Sequence, residues 1–119
     1  MGQPVVFFEV LGSDGEALRS FYTDLFGWKI DKTPGLTDYG WVPATTAGLD
    51  GGIGTASNSW SGHLTVCVQS DDPQATLDRA AQLGGKTLQP PLQLPGGCTI
   101  ALVADPEGHA VGLVKPPPT

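Results

Sequence analysis

One stretch of this chain returns 58 residues later, and that repetition constrains the fold more than any other feature of the sequence. Val10–Ile30, VLGSDGEALRSFYTDLFGWKI, reads as a strand end, an amphipathic helix, a glycine stop and a new strand. Val68–Leu88 aligns with it without a gap, with five identities in 21 positions: Val10/Val68, Asp14/Asp72, Ala17/Ala75, Leu25/Leu83 and Gly27/Gly85. The identities fall on the cap, the helix face and the C-terminal stop, which a strand-helix-strand unit must specify. In the first copy either Ser13, with Glu16 completing a capping box, or Asp14 supplies the N-cap. Ala17, Leu18, Phe21, Tyr22 and Leu25 recur at helical spacing and predict one buried face, with Phe21 at its centre. In the second copy Pro73 suits the first helical turn.

Two such modules, about 4–57 and about 62–116, make one domain over 1–119, because neither is long enough to bury a stable core alone. The 17 glycines and 11 prolines punctuate periodic segments and point to many short strands. The predicted strands are Val5–Val10, Trp28–Lys32, Asp38–Pro43 and Gly51–Ala56 in the first module. In the second they are His63–Val68, Lys86–Gln89, Cys98–Ala104 and Ala110–Lys115. Pro90 and Pro91 are expected to force the strand before them out of regular pairing. The order is β-α-β-β-β, twice.

A net charge of −6 without a basic cluster argues against nucleic acid or an anionic membrane as partner. No run is long and apolar enough to span a bilayer, and the first residues lack the pattern of a signal peptide. Cys67 and Cys98 are not spaced as a metal knuckle and read as reduced core residues of a cytoplasmic protein.

With Phe21-Tyr22 and Leu25-Phe26-Gly27-Trp28 in the first module, and Gly84-Gly85-Lys86 and Asp105-Pro106-Glu107-Gly108 in the second, the chain resembles the vicinal oxygen chelate superfamily over Pro4–Pro116. This is the glyoxalase and bleomycin-resistance group. The resemblance implies an α+β fold of two tandem modules forming cupped sheets, helices outside, a small organic molecule in the cup and a homodimer. It spans metal-dependent lyases, isomerases and dioxygenases as well as metal-free binding proteins.

The metal ligands of such relatives map here onto Phe7, Gly54, Thr65 and Gly112. None but the threonine hydroxyl is a ligand for a divalent cation, so neither a metal nor another cofactor is expected. Strand parity places Glu9 with Phe7, and His63 and Cys67 with Thr65. Glu9 and His63 are the candidate catalytic residues. A carboxylate walled by apolar groups would have its pKa raised and could serve as an acid or base; alternatively it binds a backbone amide or a serine, or joins His63 and Cys67 in a displaced metal site. Phe7, Tyr39, Trp41, Trp60, Thr65 and Cys67 are the candidate ligand contacts, with Trp60 at a pocket lip or dimer contact. Gly51, Gly52, Gly54 and Gly112 remove side-chain bulk from the closing strands and favour an open cup. Three functions follow: a metal-free binder or enzyme of lyase or isomerase type using Glu9, a metal-dependent enzyme, and a structural dimer whose cup is filled by its own side chains.

Overall fold

The structure is a computed structural model and describes residues 2–32, 38–56 and 62–118. The elements follow the predicted order. They are β1 (Val5–Gly12), α1 (Gly15–Phe26), β2 (Asp31–Lys32), β3 (Tyr39–Val42), α2 (Ala44–Ala47), β4 (Gly51–Thr55), β5 (His63–Gln69), α3 (Pro73–Gln82), β6 (Lys86–Gln93), β7 (Thr99–Ala104) and β8 (Ala110–Lys115). The single helical turn α2 joins β3 to β4.

The chain divides into two compact units, Phe7–Thr65 and Met1–Val6 with Val66–Thr119. In the first the strand order is β2-β3-β4-β1, with β1 parallel to β4 and the other pairs antiparallel. In the second it is β6-β7-β8-β5, with β5 parallel to β8. The same order, with the parallel pair at the same place, is the structural form of the sequence repeat.

The caps explain why the repeat is legible. Asp14 is the N-cap of α1, its Oδ1 accepting from the Ala17 amide at 3.0 Å, and Asp72 caps α3 in the same way at 3.1 Å. Gly27 closes α1 in the left-handed conformation, φ 75°. In α3 the left-handed residue is Gly84, φ 95°, one position before the aligned Gly85. Gly85 is needed for space instead: a Cβ there would come within 2.7 Å of the Ala104 carbonyl oxygen.

In the first unit Val10, Val42 and Ile53 are buried under Leu18, Tyr22 and Trp28. In the second, Leu77, Ala101 and Leu113 form the core. The buried face of α1 differs from the predicted one. Phe21, Leu25 and Phe26 are 57%, 58% and 57% exposed, and Ala17 is exposed as well. The helix meets the sheet through Gly15, Leu18, Arg19 and Tyr22. A Cβ on Gly15 would meet the Gly54 and Thr55 backbone, so only glycine lets the helix start this close to β4. Arg19 aligns with the buried Leu77 of the second module. Its Nη1 donates to the Ile53 carbonyl at 3.2 Å and its Nη2 pairs with Asp38 at 2.6 Å. An inward arginine rotates the apolar stripe that the spacing alone would have turned to the sheet.

The prolines of β6 disturb its pairing, as expected, but do not end the strand. The strand runs through Pro90 and Pro91, with register shifts between Thr87 and Gln89 and between Gln89 and Leu92. It pairs with β7 alone within its unit, so the missing amide protons cost no second ladder.

Candidate functional site

The first unit has two unlike faces. Phe8, Val10, Val42 and Ile53 point toward α1. By alternation Phe7, Glu9, Tyr39 and Trp41 point to the opposite face, as do Gly52 and Gly54. The register puts Glu9, Gly52 and Trp41 in one row across β1, β4 and β3. The Phe7 and Trp41 rings lie 5.6 Å apart at 40°.

Glu9 sits between two donors. Tyr39 donates its hydroxyl to Oε2 at 2.9 Å, and His63 Nε2 lies 3.1 Å from Oε1. The side chains of Glu9 and His63 are 25% and 13% exposed. Both lie in one unit, and the two candidate catalytic residues are brought into contact. An isolated carboxylate among apolar walls is not found: each oxygen already has a partner, and neither partner is the backbone amide or serine of the alternative reading. Tyr39, read from sequence as a wall, is a hydrogen-bonding member of the site.

The glycines act otherwise than expected. A Cβ on Gly52 would lie 1.7 Å from the Tyr39 hydroxyl oxygen, and one on Gly54 would lie 2.7 Å from Tyr39 Cδ1. Tyr39 therefore occupies the space left by both glycines on its way to Glu9. Gly51 faces the other way and receives the Phe8 ring. In the second unit, the space above Gly112 is taken by the Cys67 sulfur, which a Cβ would approach to 2.6 Å. The missing side chains make room for neighbours of the same chain.

Thr65 is buried and Cys67 half-buried. Trp60 lies outside the described residues. Cys98 is half-buried, and burial raises its thiol pKa. His109 is exposed and faces Asp105 across the DPEG turn. The Asp105 carboxyl is held below its usual range, chiefly by the His109 amide.

The positions that the resemblance links to metal do not form a ligand set. Phe7 packs on Trp41, Gly54 lies against Tyr39, and Gly112 lies against Cys67. Among the described residues no three His, Cys, Asp or Glu side chains converge. These residues do not fit a divalent cation at that place, and no step below runs through one.

Sequence reasoning missed a second polar cluster. Asp38, at φ 56°, accepts from the Thr55 hydroxyl and from Arg19, and the Thr55 oxygen accepts from the Gly15 amide at 3.0 Å. The Thr55 hydroxyl, and after it Arg19, hold the Asp38 carboxyl below its usual range. The alignment of Arg19 with Leu77 was the available signal, since a charge at a core position needs partners.

Residues 6–114 match the glyoxalase-like domain family. The chain belongs to that family. Among the relatives of this glyoxalase-like chain is a Mycobacterium bovis protein, CFP32, provisionally described as a glyoxylase. It is 30% identical over 111 residues, covering 85% of this chain and 41% of that protein. The Streptomyces peucetius anthracycline biosynthesis protein DnrV is 28% identical over 128 residues, covering 90% and 45%. The chain thus spans less than half the length of these relatives. A glyoxalase/bleomycin resistance protein/dioxygenase superfamily member from Vibrio splendidus shares the fold, with a TM-score of 0.64 and 14% identity over 96% of this chain and 99% of that one. The glyoxalase-like assignment and the mixed α+β fold agree with the sequence reading. No helix among the described residues is long and apolar enough to cross a membrane.

Proposed function

We propose that this glyoxalase-like chain binds a small organic molecule on the face of the first unit that carries Phe7, Trp41 and the Glu9–His63 pair, and that it does so without a metal. The observation that carries this reading is the division of the Glu9 carboxylate between Tyr39 and His63, beside two aromatic rings in contact. A carboxylate that is only partly exposed yet fully partnered is preorganised to meet a polar group of a ligand without first rearranging water. The rings offer flat apolar surface to the rest of the molecule. Aromatic natural products are one class that suits such a face, and a role of that kind is in keeping with the anthracycline biosynthesis relative.

The same pair is equipped to move a proton. As a carboxylate, Glu9 accepts the proton on an oxygen lone pair not engaged by its partners and becomes a neutral acid that can return it, while His63 Nε2 and the Tyr39 hydroxyl hold the group in position. Proton transfer next to a carbonyl, of the isomerase or lyase kind, is the chemistry this arrangement serves. Thr65, in the same unit, completes the ligand contacts of the proposal. A reducing cytoplasm suits the thiols.

Glu9→Gln tests the reading. The amide keeps the shape and can still accept from one donor, so the fold should stay within about 1 kcal/mol of the parent. Binding of small aromatic carbonyl compounds, followed by Trp fluorescence, should weaken at least about tenfold, or 1.4 kcal/mol. A large loss of stability with binding unchanged would make Glu9 a structural hydrogen-bonding residue and end the proposal.

A further inference from the structure

Asp38 is the one non-glycine residue with a positive φ among the described residues, at 56°. A side chain in that left-handed region carries a steric cost that glycine avoids. Three contacts hold Asp38 there. Its carbonyl accepts from the Thr55 amide at 3.1 Å. One carboxylate oxygen accepts from the Thr55 hydroxyl, and the other from Arg19 Nη2 at 2.6 Å. Both partners are themselves anchored. Thr55 Oγ1 accepts from the Gly15 amide at 3.0 Å, and Arg19 Nη1 donates to the Ile53 carbonyl at 3.2 Å. Asp38 is thus gripped by β4 and by α1 together.

The next residue is Tyr39, which opens β3 and pairs with Gly54. A Cβ on Gly54 would come within 2.7 Å of the Asp38 carbonyl oxygen and 3.0 Å of Tyr39 Cα, so the chain passes from Asp38 to Tyr39 pressed against β4. From there the Tyr39 side chain runs along the sheet to Glu9. β3 is short: it pairs with β4 from Tyr39 to Val42 and with β2 through Gly40 and Trp41. A slip of one residue would turn Tyr39 to the helix side, and a slip of two would carry its hydroxyl about 7 Å along β4. A hydrogen bond tolerates only a few tenths of an ångström.

The second unit builds the corresponding strand pair without these residues. Its row of Cys67, Gly112 and Leu102 corresponds to the row of Glu9, Gly52 and Trp41. Counted along each strand from that row, Ile100 stands for Tyr39, Thr99 for Asp38 and Lys115 for Thr55, while Leu77 aligns with Arg19. Thr99 and Lys115 are paired, as Asp38 and Thr55 are. The strand pair therefore forms with neither the aspartate nor the arginine. The clamp stands in the unit that carries the Glu9–Tyr39 pair, and it is missing where that pair is missing.

We propose that Asp38 is a positioning residue of the candidate site: gripped by Arg19 and Thr55, it fixes where the Tyr39 hydroxyl meets Glu9. Its effect on binding rests on the ligand reading above, whereas the placement of the hydroxyl is measured without a ligand.

The protein has two tyrosines, Tyr22 and Tyr39. Carbon-13 at tyrosine Cζ gives one NMR signal for each, and Tyr22→Phe assigns them. The shift of Cζ responds to the hydrogen bond of the hydroxyl, and Glu9→Ala marks its value once the acceptor is gone. Asp38→Gly suits the backbone at φ 56° and removes both side-chain grips. It should stay folded by circular dichroism and move the Tyr39 signal toward the Glu9→Ala value. Asp38→Asn, which keeps one acceptor oxygen, should move it less. Arg19→Leu, which copies the second module, should move it part of the way, and it decides by the same signal should Asp38→Gly fail to fold. Binding of acetophenone should weaken at least about threefold in Asp38→Gly, and the same change on a Tyr39→Phe background should have no further effect. A Tyr39 signal that keeps its parent position in Asp38→Gly and in Arg19→Leu overturns the proposal. So does a loss of binding that persists undiminished on the Tyr39→Phe background, since Asp38 would then act by another route. A parent that does not bind acetophenone counts against the ligand reading alone, and the Tyr39 signal then decides the placement.

Discussion

Tyr39 reaches Glu9 only because two residues of β4 have no side chain. The ring passes over Gly54 and its hydroxyl stands above Gly52. Gly52→Ala adds one methyl group at that point, and the tyrosine must move. The expected cost is about 1–3 kcal/mol, as for other overpacked sites, together with loss of the Tyr39–Glu9 hydrogen bond. Chemical denaturation gives the first quantity, and the ultraviolet spectrum of the tyrosine reports the second. An unchanged midpoint would show that Tyr39 is not held there. Much of this site was legible in the sequence and part was not. Alternation along β1 was enough to put Glu9 on the face of Phe7, because the period of a strand is two whatever its neighbours are. Tyr39 as the partner was not readable, because its position depends on the register of β3 against β4 and of β4 against β1. The glycines were read with the right location and the wrong consequence: absence of bulk makes room, but the sequence does not say who takes it.

At the scale of elements, α1 shows how one polar residue redirects a helix. Periodicity gave the existence of α1, its cap and its stop, but not which of two apolar stripes faces the sheet. The deciding contact is Arg19, whose partners Asp38 and the Ile53 carbonyl lie far along the chain. Two alanine substitutions measure the difference between the modules. Leu77→Ala removes a side chain that is 2% exposed and should cost about 2–5 kcal/mol. Phe21→Ala should cost less than about 1 kcal/mol, against the 3–5 expected of a buried phenylalanine. Equal losses would return Phe21 to the core. The pin between α1 and β3 also has a pH signature. Thr55 and Arg19 lower the folded-state pKa of Asp38, so the ionised carboxylate contributes stability above its unfolded value of roughly 3.9. That contribution disappears as pH falls through the lowered folded value. Unfolding temperatures of the parent and of Asp38→Asn should differ at neutral pH and converge at strongly acidic pH. A gap that stays constant throughout would mean that the charge of Asp38 does nothing for the fold.

For the whole molecule, the repeat foresaw the order of elements along the chain, and the family resemblance foresaw the α+β fold and the glyoxalase-like kinship. Each of these depends on local signals read twice. Metal binding was read from four positions, Phe7, Gly54, Thr65 and Gly112, and among them Phe7 packs on Trp41, Gly54 lies against Tyr39 and Gly112 against Cys67. Elemental analysis after mild dialysis should therefore find far less than one divalent ion per chain. About one Zn, Ni, Fe or Mn per chain would require a ligand set not found among the described residues. A last consequence lies in the parallel pairs. Phe8 faces Gly51 across one of them, and Cys67 faces Gly112 across the other. Each unit is thus finished by its final strand settling beside its first, and β8 settles between β5 and β7. On the ribosome the first sheet has all its strands once β4 has emerged, while β5 and β7 wait with bare edges for β8. Bare strand edges invite pairing with other chains. For a nascent chain of this protein, the hazard of aggregation is therefore concentrated in the interval before Ala110–Lys115 appears.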